Sequence, residues 1–193
     1  MKKSIFFLFL LSLLTFSIKV NARHKWKQKK ANKVMNYYHE HKKQIIELDS
    51  LVTLLVNKEN TIHEIRFFPR ENVLNIIISS GDKGKYGSTE AFNLCDLKST
   101  GWEPTSSDDA ESIRVHKLLF NDSAMARVIR IFAEISPLRV HAVKGAGVSI
   151  AVIHYDDLFY YCINIPMSGF DYPYKGSEDI KIDEPNVYVG VSR

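Results

Sequence analysis

Only two cysteines, Cys95 and Cys162, occur among the 193 residues, and neither stands near the N-terminus. That leaves no attachment point there for a bacterial lipid anchor. After the first apolar stretch, no run approaches the ~20 residues that would cross a bilayer as a helix. No segment repeats at a fixed period, and no low-complexity tract occurs apart from one basic stretch. No complete catalytic or cofactor motif is present. The fragments that come near to one are better explained as ordinary structure.

What is there begins with a leader. Lys2 and Lys3 precede an uncharged apolar run, Ile5 to Ile18, and Val20-Asn21-Ala22 supplies small residues for cleavage before Arg23. This is the pattern of a secretory signal peptide over residues 1–22, although Lys19 is unusual near the cut. The expected destination is secreted or periplasmic. In such a compartment an even cysteine count invites a Cys95–Cys162 disulfide, worth about 4 kcal/mol in the chain-entropy model. Two buried thiols packed as small hydrophobes are the alternative.

The formal charge of +4 includes Lys2, Lys3 and Lys19, which leave with the signal. From Arg23 to Lys43 eight basic residues face one acid, Glu40, while the remainder carries 15 basic and 21 acidic residues. A basic arm, 23–33, therefore precedes a mildly acidic domain, 34–193. The arm suits an anionic surface such as a membrane or envelope polymer, or it is simply solvated. Nucleic acid is the poorest candidate partner for an exported chain.

Neither proline nor glycine falls between Asn32 and Asn57. Val34, Tyr38, His41, Ile45, Leu48, Val52 and Leu55 recur there at alternating spacings of four and three. That draws one apolar stripe along a helix. The stripe fits a sheet-packed helix or a coiled-coil seam, and its broad second half favours the sheet. Thr61–Phe68 and Val73–Ser80 read as a hairpin around Pro69-Arg70-Glu71-Asn72. Ala91–Leu97 is a short strand. A helix opens at Ser107-Asp108-Asp109, restarts at Asn121-Asp122-Ser123 and stops at Pro137. Strands follow: Leu138–Val143, then a hairpin over Val148–Ile165, then Asp179–Ile182 with Asn186–Val191. The fold class is α+β: a long N-terminal helix and a helix pair packed on a mostly antiparallel sheet of about five strands, in the order α-ββ-αα-βββ(β). This order resembles that of extracytoplasmic PAS-like sensors and NTF2-like cone-shaped domains, in element order alone.

Candidate chemistry is sparse. Ser80-Gly81-Asp82-Lys83 matches Ser-x-x-Lys, yet its serine ends a strand instead of opening a helix. His39-Glu40-His41 puts two imidazoles at i and i+2, which point apart on a helix. Gly145-Ala146-Gly147 is read as a tight strand connection, since a strand and not a helix follows. No metal or cofactor is expected. His154 beside Asp156 and Asp157 sits at a hairpin tip, where a histidine near carboxylates could serve as a general base. Asp-Asp is equally ordinary turn chemistry. The loop Met167–Ser177 gathers Phe170, Tyr172 and Tyr174 within five residues. Such rings give contact area at low entropy cost, or fold back over a sheet edge.

The leading expectation is thus a non-enzymatic exported binding module for another protein, of inhibitor or immunity type. Contact would run through Phe170, Tyr172, Tyr174, His154, Asp156 and Asp157. The first alternative is a sensor-like or NTF2-like domain taking a small apolar ligand between the second helix pair and the sheet. The second is a hydrolase using His154.

Overall fold

The computed structural model describes residues 28–70, 73–80, 89–94, 103–104, 118–119, 121–154, 160–167, 180–181 and 187–192. The expected helix is present, but it is broken. Residues 28–40 form α1, and α2 runs over Lys42–Asn57. His41 between them leaves helical geometry at φ −111° and ψ 20°. Its backbone still accepts from Ile45 N and donates to Tyr37 O, so the two pieces continue one rod with a bend. The stripe predicted from spacing is buried at Val34, Tyr38, Ile45, Leu48, Val52 and Leu55. It packs within the chain, on the sheet and the last helix. At about 1.5–3 kcal/mol for each fully buried aliphatic side chain, this stripe anchors the helix. Among the described residues, no helix is long and apolar enough to cross a membrane.

The last helix, α3, covers Ser123–Ile135. Asp122 caps it, its carboxylate accepting from Ala124 N at 2.7 Å. Ser136 ends it in the left-handed region at φ 47°, donating its N–H to Phe132 O, and Pro137 follows. α3 packs on α2, its Val128, Ile131 and Phe132 joining the same core, and Arg127 clamps Glu47 of α2 with two bonds of 2.6 and 2.7 Å.

The strands are β1 Ile62–Arg70, β2 Val73–Ser80, β3 Thr89–Leu94, β4 Glu103–Pro104, β5 Arg139–Val143, β6 Gly147–His154, β7 Tyr160–Pro166, β8 Ile180–Lys181 and β9 Tyr188–Ser192. They form one sheet in the order β4-β3-β2-β1-β5-β6-β7-β9-β8, with antiparallel pairing throughout. The class is α+β as expected. The sheet is wider than five strands because the N-terminal hairpin and the C-terminal meander merge along β1–β5, and because the two-residue β4 is a piece that sequence pattern does not register, whereas β8 falls within the expected Asp179–Ile182.

Alternation assigns the two faces. Ile65, Phe67, Ile76, Ile78, Val140, Ala142, Val148, Ile150 and Ile163 face the helices in one continuous core. The first half of the Val148–Ile165 hairpin behaves as its spacing predicts. A bulge between Ala151 and Ile153 then shifts the pairing, so Ile153 joins the helix-side core and His154 turns to the other face.

Candidate functional site

The second face of the sheet, away from the helices, is where polar residues collect. Cross-strand register lines them up. Arg66 on β1 pairs with His141 on β5, His141 with Ser149 on β6, Ser149 with Asn164 on β7, and Asn164 with Tyr188 on β9. Five polar residues therefore stand side by side, over roughly 19 Å at the usual strand spacing. The neighbouring row carries Arg139, Ala151, Cys162 and Gly190. Three of these are small, so the floor beside the polar row is low. Ala151 and Cys162 are fully buried yet stand apart from the helix-side core. This part of the second face is closed off from solvent.

At the β1 end the row is wired. Glu64 Oε1 accepts from Ser79 Oγ at 2.8 Å and from Arg66 Nε at 3.1 Å, and its Oε2 accepts from His141 Nε2 at 2.9 Å. Burial pushes the Glu64 carboxyl up, but the hydrogen bonds from Arg66, His141 and Ser79 outweigh it and hold the group at about 2. His141 moves down from its ordinary value, first through burial, with the Glu64 hydrogen bond opposing. A carboxylate can only accept, so Nε2 carries the proton and Nδ1 presents a lone pair. The arrangement is a neutral imidazole oriented by a carboxylate, capable of accepting a proton or a ligand hydrogen bond.

At the β7 end the row is unsatisfied. Asn164 is 2 % exposed, and its Nδ2 finds no hydrogen-bond partner among the described residues. The same holds for Ser149 Oγ, directly across the strand pair. Asn75 Nδ2, on the same face of β2, is a third such group, about three strands from Ser149.

Of the residues singled out from sequence, His154 ends β6 on this face and is exposed. Its ring lies 4.9 Å from that of Tyr160, over which Arg139 sits at 4.8 Å, and its carbonyl accepts from Lys30 Nζ at 2.7 Å. Cys162 is buried with Sγ 3.6 Å from Tyr160 O. Asp156, Asp157, Phe170, Tyr172, Tyr174 and Cys95 lie outside the described residues, as do residues 1–27, which hold the expected leader pattern and the start of the basic arm. Lys29, Lys30 and Lys33 of that arm stand on α1, where Ala31 is buried. His39 and His41 meet Tyr38 and Tyr37 edge to face, and no set of three metal-ligating side chains occurs among the described residues.

Sequence reading missed Glu64, Arg66, His141, Ser149 and Asn164. A signal existed for two of them: Ser149 and Asn164 are lone polar residues in the apolar strands of the predicted hairpin. No family model, curated protein or solved structure matches the chain, so its function is argued from this geometry.

Proposed function

We propose that the chain is an exported ligand-binding domain whose small polar ligand lies on the second face of the sheet, over Ser149 and Asn164. One observation carries the reading. The two side chains face each other across β6 and β7, and the Ser149 hydroxyl and Asn164 amide nitrogen are shut off from water with no hydrogen-bond partner among the described residues. An unpaired buried polar group costs about 1–3 kcal/mol. A ligand that accepts from the Asn164 amide, bonds the Ser149 hydroxyl and donates to His141 Nδ1 recovers that cost. The ligand is therefore polar, in contrast to the apolar one that the element order suggested.

A hydrolytic reading draws on Glu64 and His141, where a carboxylate orients the imidazole; among the described residues His154 has Tyr160 as its ring neighbour. Among the described residues no hydroxyl or thiol is bonded to His141 as a nucleophile would be. Binding is thus the better supported activity. Export rests on the Lys2 to Ala22 leader pattern, and the Cys95–Cys162 disulfide belongs to the same proposal, testable by a two-dalton mass change on reduction.

Native mass spectrometry tests the binding reading on protein taken from its host's exported fraction. The wild type is expected to carry a small-molecule adduct that Ser149→Ala/Asn164→Leu loses. The double variant keeps or gains stability, because apolar replacement removes two unpaired polar groups. A wild type without adduct, or a double variant that retains it, overturns the proposal.

A further inference from the structure

We propose that a separate hollow between α2 and the β5–β6 turn binds a small primary ammonium ligand through the carboxylate of Asp49. The hollow has a volume of about 200 Å³, and it shares no residue with the polar row. Asp49, Thr53, Val56 and Asn57 line one side, at the i, i+4, i+7 and i+8 spacing that shares a helix face. Gly145 and Gly147 line the other.

The two glycines explain why the space is open. Among the described residues nothing lies within 4 Å of where a Cβ on Gly145 would stand. Gly147, at φ 127°, passes so close to β7 that a Cβ would collide with the Ile165 carbonyl and Pro166 Cα. The backbone is thereby fixed and side-chain bulk is missing, so the turn cannot fill the gap with its own atoms.

Asp49 sets the chemistry. Among the described residues it has no hydrogen-bond or ion-pair partner, and burial alone raises its carboxyl to about 6. Three cations on the neighbouring elements are committed elsewhere. Lys144 of the turn donates to Glu59 O at 2.8 Å, Arg127 of α3 clamps Glu47, and Lys58 pairs with Asp122. Among the described residues no other charged residue lines the hollow. An ionised carboxyl in a partly apolar recess calls for a counter-ion. A divalent metal is a poor occupant, since it demands about six oxygen ligands and Asp49 is the lone carboxylate. An ammonium group needs three acceptors. Asp49 offers two oxygens. Asn57, whose Nδ2 is spent on Thr53 O, offers its Oδ1. Val56, Ile165 and Met167 suit a short alkyl chain. The volume is below the ~300–1,000 Å³ of drug-sized sites, which limits the ligand to a few heavy atoms.

The test is an NMR titration of the full mature chain with n-butylammonium chloride, using n-butanol as neutral analogue and sodium chloride as salt control. Saturable shifts are expected at Thr53, Gly145, Gly147 and Met167. Binding should weaken at least about tenfold for n-butanol and for Asp49→Asn, and about tenfold from neutral pH to about pH 5 as the carboxyl protonates. Thr53→Leu, which fills the hollow and spares the carboxyl, should weaken it too. Equal affinity for n-butanol, undiminished binding by Asp49→Asn, or no saturable shift at these residues overturns the proposal.

Discussion

Glu64 shows how one side chain sets the state of its neighbours. Three donors converge on it from β1, β2 and β5, and they hold its carboxyl at about 2 against an ordinary 4.5. A carboxyl depressed in the folded state stabilises the fold above its unfolded pKa, and that contribution fades as pH falls from 4.5 towards 2. Glu64→Gln should therefore lower stability at neutral pH by about 1 kcal/mol, the side chain being partly solvated. It should also flatten the acid limb of the stability curve between those two pKa values. Urea midpoints measured from neutral pH down to about pH 2 check both effects. A second consequence concerns His141, whose tautomer the carboxylate fixes; an amide can turn its N–H towards the ring and release that choice. Little of this was legible in the sequence. Glu64 and His141 lie 77 positions apart, in strands that read as a half-buried alternation and nothing more. Only the β1–β5 pairing makes them neighbours.

Local signals were read well where the chemistry is local. Asn121-Asp122-Ser123 announced a helix start, and Asp122 does cap α3 while also pairing with Lys58 at the end of α2. Asp122→Ala should cost about 1–2 kcal/mol, from an orphaned amide and a lost link between two helices. Asp122→Asn should keep most of the cap and lose the charge pair, so the two variants' thermal midpoints separate the contributions. The stripe on α1 and α2 was equally legible, because a spacing of three and four is a property of the helix itself. The break at His41 was not: neither proline nor glycine marks it, and no other sequence signal stands there. The bulge in β6 was hidden for a different reason. One extra residue reverses which side chains face the core, and Val152 looks like any strand residue until its partners on β7 are known. His154 reaches the polar face only because of that reversal.

At the scale of the molecule, the sheet joins two halves along β1–β5, and the polar row crosses the join. Arg66 and Glu64 come from the N-terminal hairpin, while His141, Ser149, Asn164 and Tyr188 come from the C-terminal meander. The row exists only when both halves are docked, so ligand binding there should report on the whole fold. The aromatic residues Phe170, Tyr172 and Tyr174 belong to a different argument, since they follow β7 in sequence and carry the reading of a protein partner. A pull-down of the mature chain from its own exported fraction separates the two. A domain that serves a small ligand should recover no partner that depends on Tyr172 or Tyr174, while Asn164→Leu abolishes its adduct. An inhibitor-type module should recover one protein, lose it by about tenfold or more with Tyr172→Ala or Tyr174→Ala, as hot-spot aromatics do, and be indifferent to Asn164→Leu. The geometry favours the first pattern. The Ser149 hydroxyl and Asn164 amide nitrogen, shut off from water and without a partner among the described residues, cost stability whether or not a protein docks on the Phe170–Tyr174 segment, and a ligand seated over β6 and β7 would relieve them.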